Sequence, residues 1–164
     1  MELKEVLIRK AQINDKSGIG HIHYHSWNET YEGLIDQSYL DSRSVEECIR
    51  QAETFYQNAV VATVDERIVG FACCMKSRDV DLENTGEITA VYVLEAYQGL
   101  GIGKKLMNAC FDQLNEYAKM LVWVLKENHQ AITFYERQGF RKDGECKTVR
   151  LNESVKIDEV RMIK

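Results

Sequence analysis

The stretch Tyr97-Gln98-Gly99-Leu100-Gly101-Ile102-Gly103-Lys104-Lys105 limits the fold more than any other, because its alternating glycines join a strand pattern to a helix pattern. Upstream, Ile88, Ala90 or Val91, and Val93 belong to a β-rich run; downstream, Leu106, Met107, Cys110, Phe111 and Leu114 recur at helical spacing. Glycine reaches positive φ and lets another molecule approach the backbone without meeting a Cβ. The first amides of the following helix have no intrahelical acceptors, and the helix dipole adds positive potential, so the turn suits a pyrophosphate. Lys104 and Lys105 add charge in the same place.

The spacing fails both better-known phosphate loops. A dinucleotide fingerprint starting at Gly99 or Gly101 needs glycine at Lys104 or Leu106, and a P-loop ending at Gly103-Lys104 needs glycine at Gln98 and Ser or Thr at Lys105. What remains, Gln98-x-x-Gly101-x-Gly103, resembles the acetyl-coenzyme A loop of the GNAT superfamily of N-acetyltransferases. A second match follows in the expected order. After the apolar run Met120-Leu121-Val122-Trp123-Val124-Leu125 comes Asn128-His129-Gln130-Ala131-Ile132-Thr133-Phe134-Tyr135-Glu136-Arg137-Gln138-Gly139-Phe140, similar to the superfamily's next strand-loop-helix block. The two matches cover roughly residues 85 to 140.

The resemblance implies a mixed central β-sheet flanked by α-helices, with the central strands splayed so that the pantetheine arm of acetyl-coenzyme A slides between them. It implies that the main chain at Val91, Tyr92 and Val93 pairs with pantetheine like an added strand, the Val91 N–H polarising the acetyl carbonyl. Gln98, Gly99, Leu100, Gly101, Gly103 and Lys104 would hold the pyrophosphate, and Asn128 would meet the pantetheine from the other side.

An ammonium with a reference pKa of about 10.4 must lose a proton before it attacks, so a general base or a water chain is useful. Glu87, eleven positions before Gln98, stands in the register of the catalytic glutamate of histone-type members; the alternatives are a solvated strand-edge carboxylate and a water chain. Tyr135 occupies the place of the family's tyrosine that protonates the departing thiolate, or else packs with Phe134 and Phe140. In the family's variable acceptor region, Trp27 and Tyr31 either wall a pocket or anchor the loop to the core, and Glu29 or Glu32 would attract an ammonium.

The implied activity is transfer of acetyl from acetyl-coenzyme A to a primary amine of a small molecule, peptide or protein, by direct attack. The competing reading is a non-catalytic acyl-coenzyme A-binding sensor or interaction module, which needs the turn and the gap but no proton-transfer groups. His21-Ile22-His23-Tyr24-His25 tempts a metal reading, yet on a helix only His21 and His25 share a face and no third ligand stands at recognisable spacing, so no metal is expected.

Composition is consistent with this. A chain of 164 residues suffices for one core, without linker, repeat or low-complexity tract, and residues 1 to 164 read as a single domain. Net charge is −5 with no basic stripe, which disfavours nucleic acid and mildly favours a cationic substrate. No signal-like core opens the chain and no apolar run is long enough for a bilayer, so a cytoplasmic protein away from membranes is expected, with a homodimer left open. Five cysteines without C-x-x-C pairing read as reduced thiols.

The element order expected is a strand at Glu5 to Lys10, a helix from Asn14 or Asp15 to Trp27, and a second helix capped by Asp41 or Ser42, with Ser44 and Glu47 forming an S-x-x-E capping box. Strands at Ala59 to Asp65 and Arg67 to Lys76 and a third ending at Val93 follow. Then come the turn helix to Tyr117, a strand to Leu125, a helix from Asn128 to Gln138, and strands at Cys146 to Leu151 and Asp158 to Ile163. That is an α/β order.

Overall fold

One sheet of seven strands, ordered β1-β2-β3-β4-β5-β7-β6, organises the chain. The computed structural model describes residues 4–164; residues 1–3, part of the amino-terminal stretch read above for a signal-like core, lie outside it. The strands are β1 Val6–Lys10, β2 Ala59–Val64, β3 Arg67–Lys76, β4 Thr85–Val93, β5 Lys119–Leu125, β6 Arg141–Arg150 and β7 Lys156–Ile163. The helices are α1 Lys16–Tyr31, α2 Gln37–Ser42, α3 Val45–Phe55, α4 Ile102–Gln113 and α5 His129–Arg137.

Each face of the sheet is covered, so β2, Ala-Val-Val-Ala-Thr-Val, is buried along its whole length. On one face α4 and α5 set Leu106, Met107, Cys110, Ile132 and Tyr135 against Ala72, Ile88, Val122 and Met162. On the other, Ile19 and Ile22 of α1 and Ala52 of α3 cover Val61, Phe71 and Cys73. The glycine in the middle of α1, ordinarily a cost of roughly 0.5–1 kcal/mol, has a packing reason. A Cβ on Gly20 would lie 2.7 Å from the backbone N and Cα of Ile49, so only glycine lets α1 close on α3.

Local signals set the boundaries. Ser44 Oγ accepts from the Glu47 N–H and starts α3. Asp65 and Glu66, with φ of 49° and 63°, make the two-residue turn of the β2–β3 hairpin. Three boundaries differ from expectation by more than two residues. α1 continues beyond Trp27 to Tyr31, and the Gly33 segment then leads into a short α2 that has no strong apolar period and is started by Asp36 accepting from the Ser38 N–H. α4 stops at Gln113, where Leu114 to Tyr117 form a turn. β6 starts at Arg141 rather than near Cys146, its first six residues all exposed on the sheet's outer edge and so lacking any apolar alternation.

Two irregularities shape the centre. In the β3–β4 ladder Cys73 faces Ala90 but Cys74 faces Ile88, leaving Thr89 as an extra, bulged residue. The parallel β4–β5 ladder runs from Thr85↔Lys119 to Ile88↔Val122 and ends there. Beyond it β4 stays with β3 through Val91↔Ala72, Tyr92↔Phe71 and Val93↔Gly70, while β5 stays with β7 through Trp123↔Arg161, Val124↔Val160 and Leu125↔Glu159. The sheet therefore forks, as the resemblance implied.

Candidate active site

The fork leaves one edge of β4 without a neighbouring strand over Val91, Tyr92 and Val93, all of them partly exposed. Backbone groups on such an edge need partners, and an extended ligand can supply them. At its end a 3-10 turn, Glu95–Tyr97, passes to Gln98, whose Nε2 donates to the Val93 carbonyl at 3.0 Å and folds the loop back on the strand. Gly99 and Gly101 both have φ of 79°, and a Cβ on either would meet nothing within 4 Å. Gly101 is the N-cap of α4, and no side chain caps that helix end. The first-turn amides thus face open space beside exposed Leu100, Lys104 and Lys105, an arrangement that fits a pyrophosphate. Gly103 has another reason to be glycine, since its Cβ would press the Phe134 ring at 3.3 Å where α4 meets α5.

Across the fork, Asn128 Oδ1 accepts from the Ala131 N–H at 3.1 Å and starts α5, so only its NH2 is free to donate to a ligand. About two turns further along, Tyr135 is buried between Phe134 and Phe140, with ring centroids 5.2 and 5.8 Å away. Its phenol is pushed up, first by burial and then by the nearby Tyr31 phenol and Cys110, which keeps it protonated at neutral pH. The packing expected of Tyr135 with Phe134 and Phe140 is thus present.

On the opposite face, Trp27 and Tyr31 of α1 meet edge to face with ring centroids 4.5 Å apart and pack with Leu125, at the open end of β5. Tyr31 and Tyr92 perturb each other's phenols, each raised chiefly by burial, so Tyr92 joins the same wall. Glu29 lies elsewhere: its Oε2 accepts from the Glu95 N–H at 3.2 Å and ties α1 to the turn after β4.

Glu87 is neither solvated nor free. Its side chain is 2 % exposed, and its two oxygens accept from Arg78, from Nη2 at 2.6 Å, the backbone N–H at 3.3 Å and Nε at 3.4 Å. It pairs in register with Leu121, within the closed part of the β4–β5 ladder. The arrangement commits this carboxylate to Arg78 and sets aside the solvated strand-edge alternative. Arg78 is steadied in turn: Asp79, the next residue, receives Arg161 Nη1 at 2.9 Å and Trp123 Nε1 at 3.1 Å, and Arg161 also binds Asp81 and Asp143.

The histidines divide as their helix spacing requires. His21 and His25 line a groove between α1 and the β2–β3 hairpin that also includes Leu94. His23 points inward among Trp27, Phe55, Phe71 and Tyr92, with Nδ1 buried and unpartnered. Burial, and then the Arg43 charge, lower its pKa to about 4. The unfolded chain, with a histidine near 6.5, therefore binds more protons than the native state between about pH 6.5 and pH 4. Stability should fall as pH drops through that window, by an amount on the order of 2–3 kcal/mol. Replacing His23 by Phe should flatten that slope in urea midpoints measured across it, and an unchanged slope would show that His23 does not carry it.

An uncapped glycine turn and a forked sheet define a protein built to hold an acyl-coenzyme A. The chain belongs to the acetyltransferase (GNAT) family, whose model matches residues 18–140. It is 31 % identical over 135 residues to the uncharacterized N-acetyltransferase YuaI of Bacillus subtilis, covering 80 % of this chain and 78 % of that protein. It is also 31 % identical over 115 residues to a spermine/spermidine N(1)-acetyltransferase of Bacillus subtilis, covering 66 % and 74 %. The fold matches yncA of Salmonella typhimurium, a putative acetyltransferase solved with acetyl-coenzyme A, at a TM-score of 0.72 and 20 % identity over 98 % of this chain and 93 % of that one. The protein is an acyltransferase with N-acetyltransferase activity, and acetyl-coenzyme A is its acyl donor. Among the described residues no helix is long and apolar enough to cross a membrane.

Proposed function

We propose that the acceptor is a cationic primary amine that reaches the fork from the α1 side, between Trp27, Tyr31 and Tyr92. The observation that carries this reading is the open edge of β4 at Val91–Val93, with Tyr135 beside one face of the fork and a cup of aromatic side chains on the other. In this reading the Val91 N–H steadies the oxygen of the attacked carbonyl, Gln98 to Lys104 hold the pyrophosphate, and Asn128 donates to the pantetheine arm. Tyr135 gives its proton to the departing thiolate. The net charge of −5 and the relation to a polyamine acetyltransferase support a cationic acceptor.

The test is a panel of spermidine, spermine, free lysine, aminoglycosides and peptides with free amino termini, followed by thiol release and by mass of the acetylated product. Acetylation of polyamines above the other acceptors is expected. Binding of acetyl-coenzyme A with no turnover on any amine would favour the sensor or interaction module instead.

A further inference from the structure

We propose that Glu159, on β7, is the carboxylate that takes the proton from the acceptor's ammonium, a role the sequence pattern assigned to Glu87. This rests on the N-acetyltransfer reading above. Register places the two carboxylates differently. Glu87 pairs with Leu121 where β4 and β5 are still joined, whereas Glu159 pairs with Leu125, three residues beyond the last β4–β5 pair, where the sheet has forked. Val160 and Met162 belong to the α4 face, so Glu159 and Arg161 project to the opposite face, that of α1 and the aromatic cup. Tyr31, which packs on Leu125, lies within the electrostatic reach of Glu159.

Occupancy separates them further. Glu87 is held by three donors of Arg78. Glu159 accepts no hydrogen bond among the described residues, and its nearest cation is Lys147 Nζ at 3.9 Å, which is shared with the Trp123 ring at 4.2 Å. Its side chain is 21 % exposed, enough to be reached and dry enough to be basic. The groups facing it are Lys147 on β6, Arg78 on the β3–β4 loop, Glu87 on β4 and Tyr31 on α1. Burial raises its pKa, Lys147 and Arg78 oppose the rise, and Glu87 adds to it. A carboxylate moved in that direction is a stronger base and a better match to an ammonium.

The protons balance. Glu159 takes one from the ammonium, and the freed nitrogen lone pair forms the C–N bond as the carbonyl π pair moves to oxygen. As that pair returns, the C–S bond breaks and the sulfur leaves with its electrons, protonated by Tyr135. The nitrogen gives up its second proton, which restores the Tyr135 phenol through solvent. The products are the acetamide, free coenzyme A and one proton released when Glu159 ionises again.

The experiment first establishes turnover of the wild type on the amine panel; failure there sinks the functional reading and is seen before any variant is made. With an acceptor in hand, kcat/KM is measured from pH 5.5 to 9.5 for wild type, Glu159→Gln and Glu87→Gln, with acetyl-coenzyme A affinity measured alongside. Glu159→Gln should lose about 10²-fold or more at neutral pH and lack the wild-type acid limb, its activity rising instead only with the acceptor's own deprotonation at alkaline pH. Its cofactor affinity should be unchanged. Glu87→Gln should keep the limb. Persistence of the limb in Glu159→Gln overturns the proposal, whatever Glu87→Gln does. If Glu159→Gln does not fold, the wild type still answers: a carboxyl-carbon NMR titration of Glu159 whose midpoint differs from that of the acid limb overturns it equally.

Discussion

Gly101→Val should give a folded protein that no longer binds acetyl-coenzyme A. At φ of 79° a β-branched residue is strained by on the order of 1–3 kcal/mol, but no atom lies within 4 Å of the new Cβ, so the fold itself meets no clash. What the valine would fill is the space over the uncapped first turn of α4, where the pyrophosphate needs the amides. Affinity should fall by about 100-fold or more, equivalent to roughly 2.7 kcal/mol, in isothermal calorimetry. Gly144→Val supplies the comparison: φ is 92°, the surroundings are equally open, and the position lies on β6 away from the turn. It should carry similar strain and bind normally. Equal affinities in the two variants would remove the turn from the cofactor site.

Tyr135→Phe should cut kcat by about 10²–10⁴-fold while leaving cofactor affinity nearly intact, because the ring that packs on Phe134 and Phe140 is kept and only the proton donor goes. Passing a proton from a phenol near 10 to a thiolate near 8.5 is uphill by roughly 2 kcal/mol in water. Burial raises the phenol further, yet the same dry surroundings destabilise the free thiolate, so the two shifts run in parallel. Steady-state kinetics with calorimetry on the folded variant decides the point. A kcat within about twofold of wild type would mean that water protonates the thiolate and that Tyr135 serves packing alone.

Features encoded over short sequence distances were legible. The β3 range, the Ser44 start of α3 and the glycine turn all follow from neighbours within a few positions, because capping, alternation and positive φ are local. The polar edge strand β6 was placed too short, since its register comes from β7 and not from its own pattern. The site followed the same division. The turn and the α5 start were readable, but the grip of Arg78 on Glu87 depends on how the β3–β4 loop folds back. The tie of Glu29 to the Glu95 amide, 66 residues away, had no local signal. Glu159 carried no signal of its own: in sequence it is one acid among many, and only its alignment with Leu125 at the fork distinguishes it.

The Thr89 bulge has a consequence for how the chain tolerates a change of length. In a regular strand residues 87, 89, 91 and 93 would share a face; with Thr89 inserted, Glu87 stands with Ala90 and Tyr92, while Ile88 stands with Val91 and Val93 on the α4 side. Deleting Thr89 would restore plain alternation and leave Tyr92 on the acceptor side and Val91 in the α4 core, whereas adding one further residue would turn Tyr92 into the α4 core and Val91 out toward the acceptor. The strand therefore has slack in one direction only: it absorbs the loss of a residue at the bulge, while the gain of one would invert its two roles together.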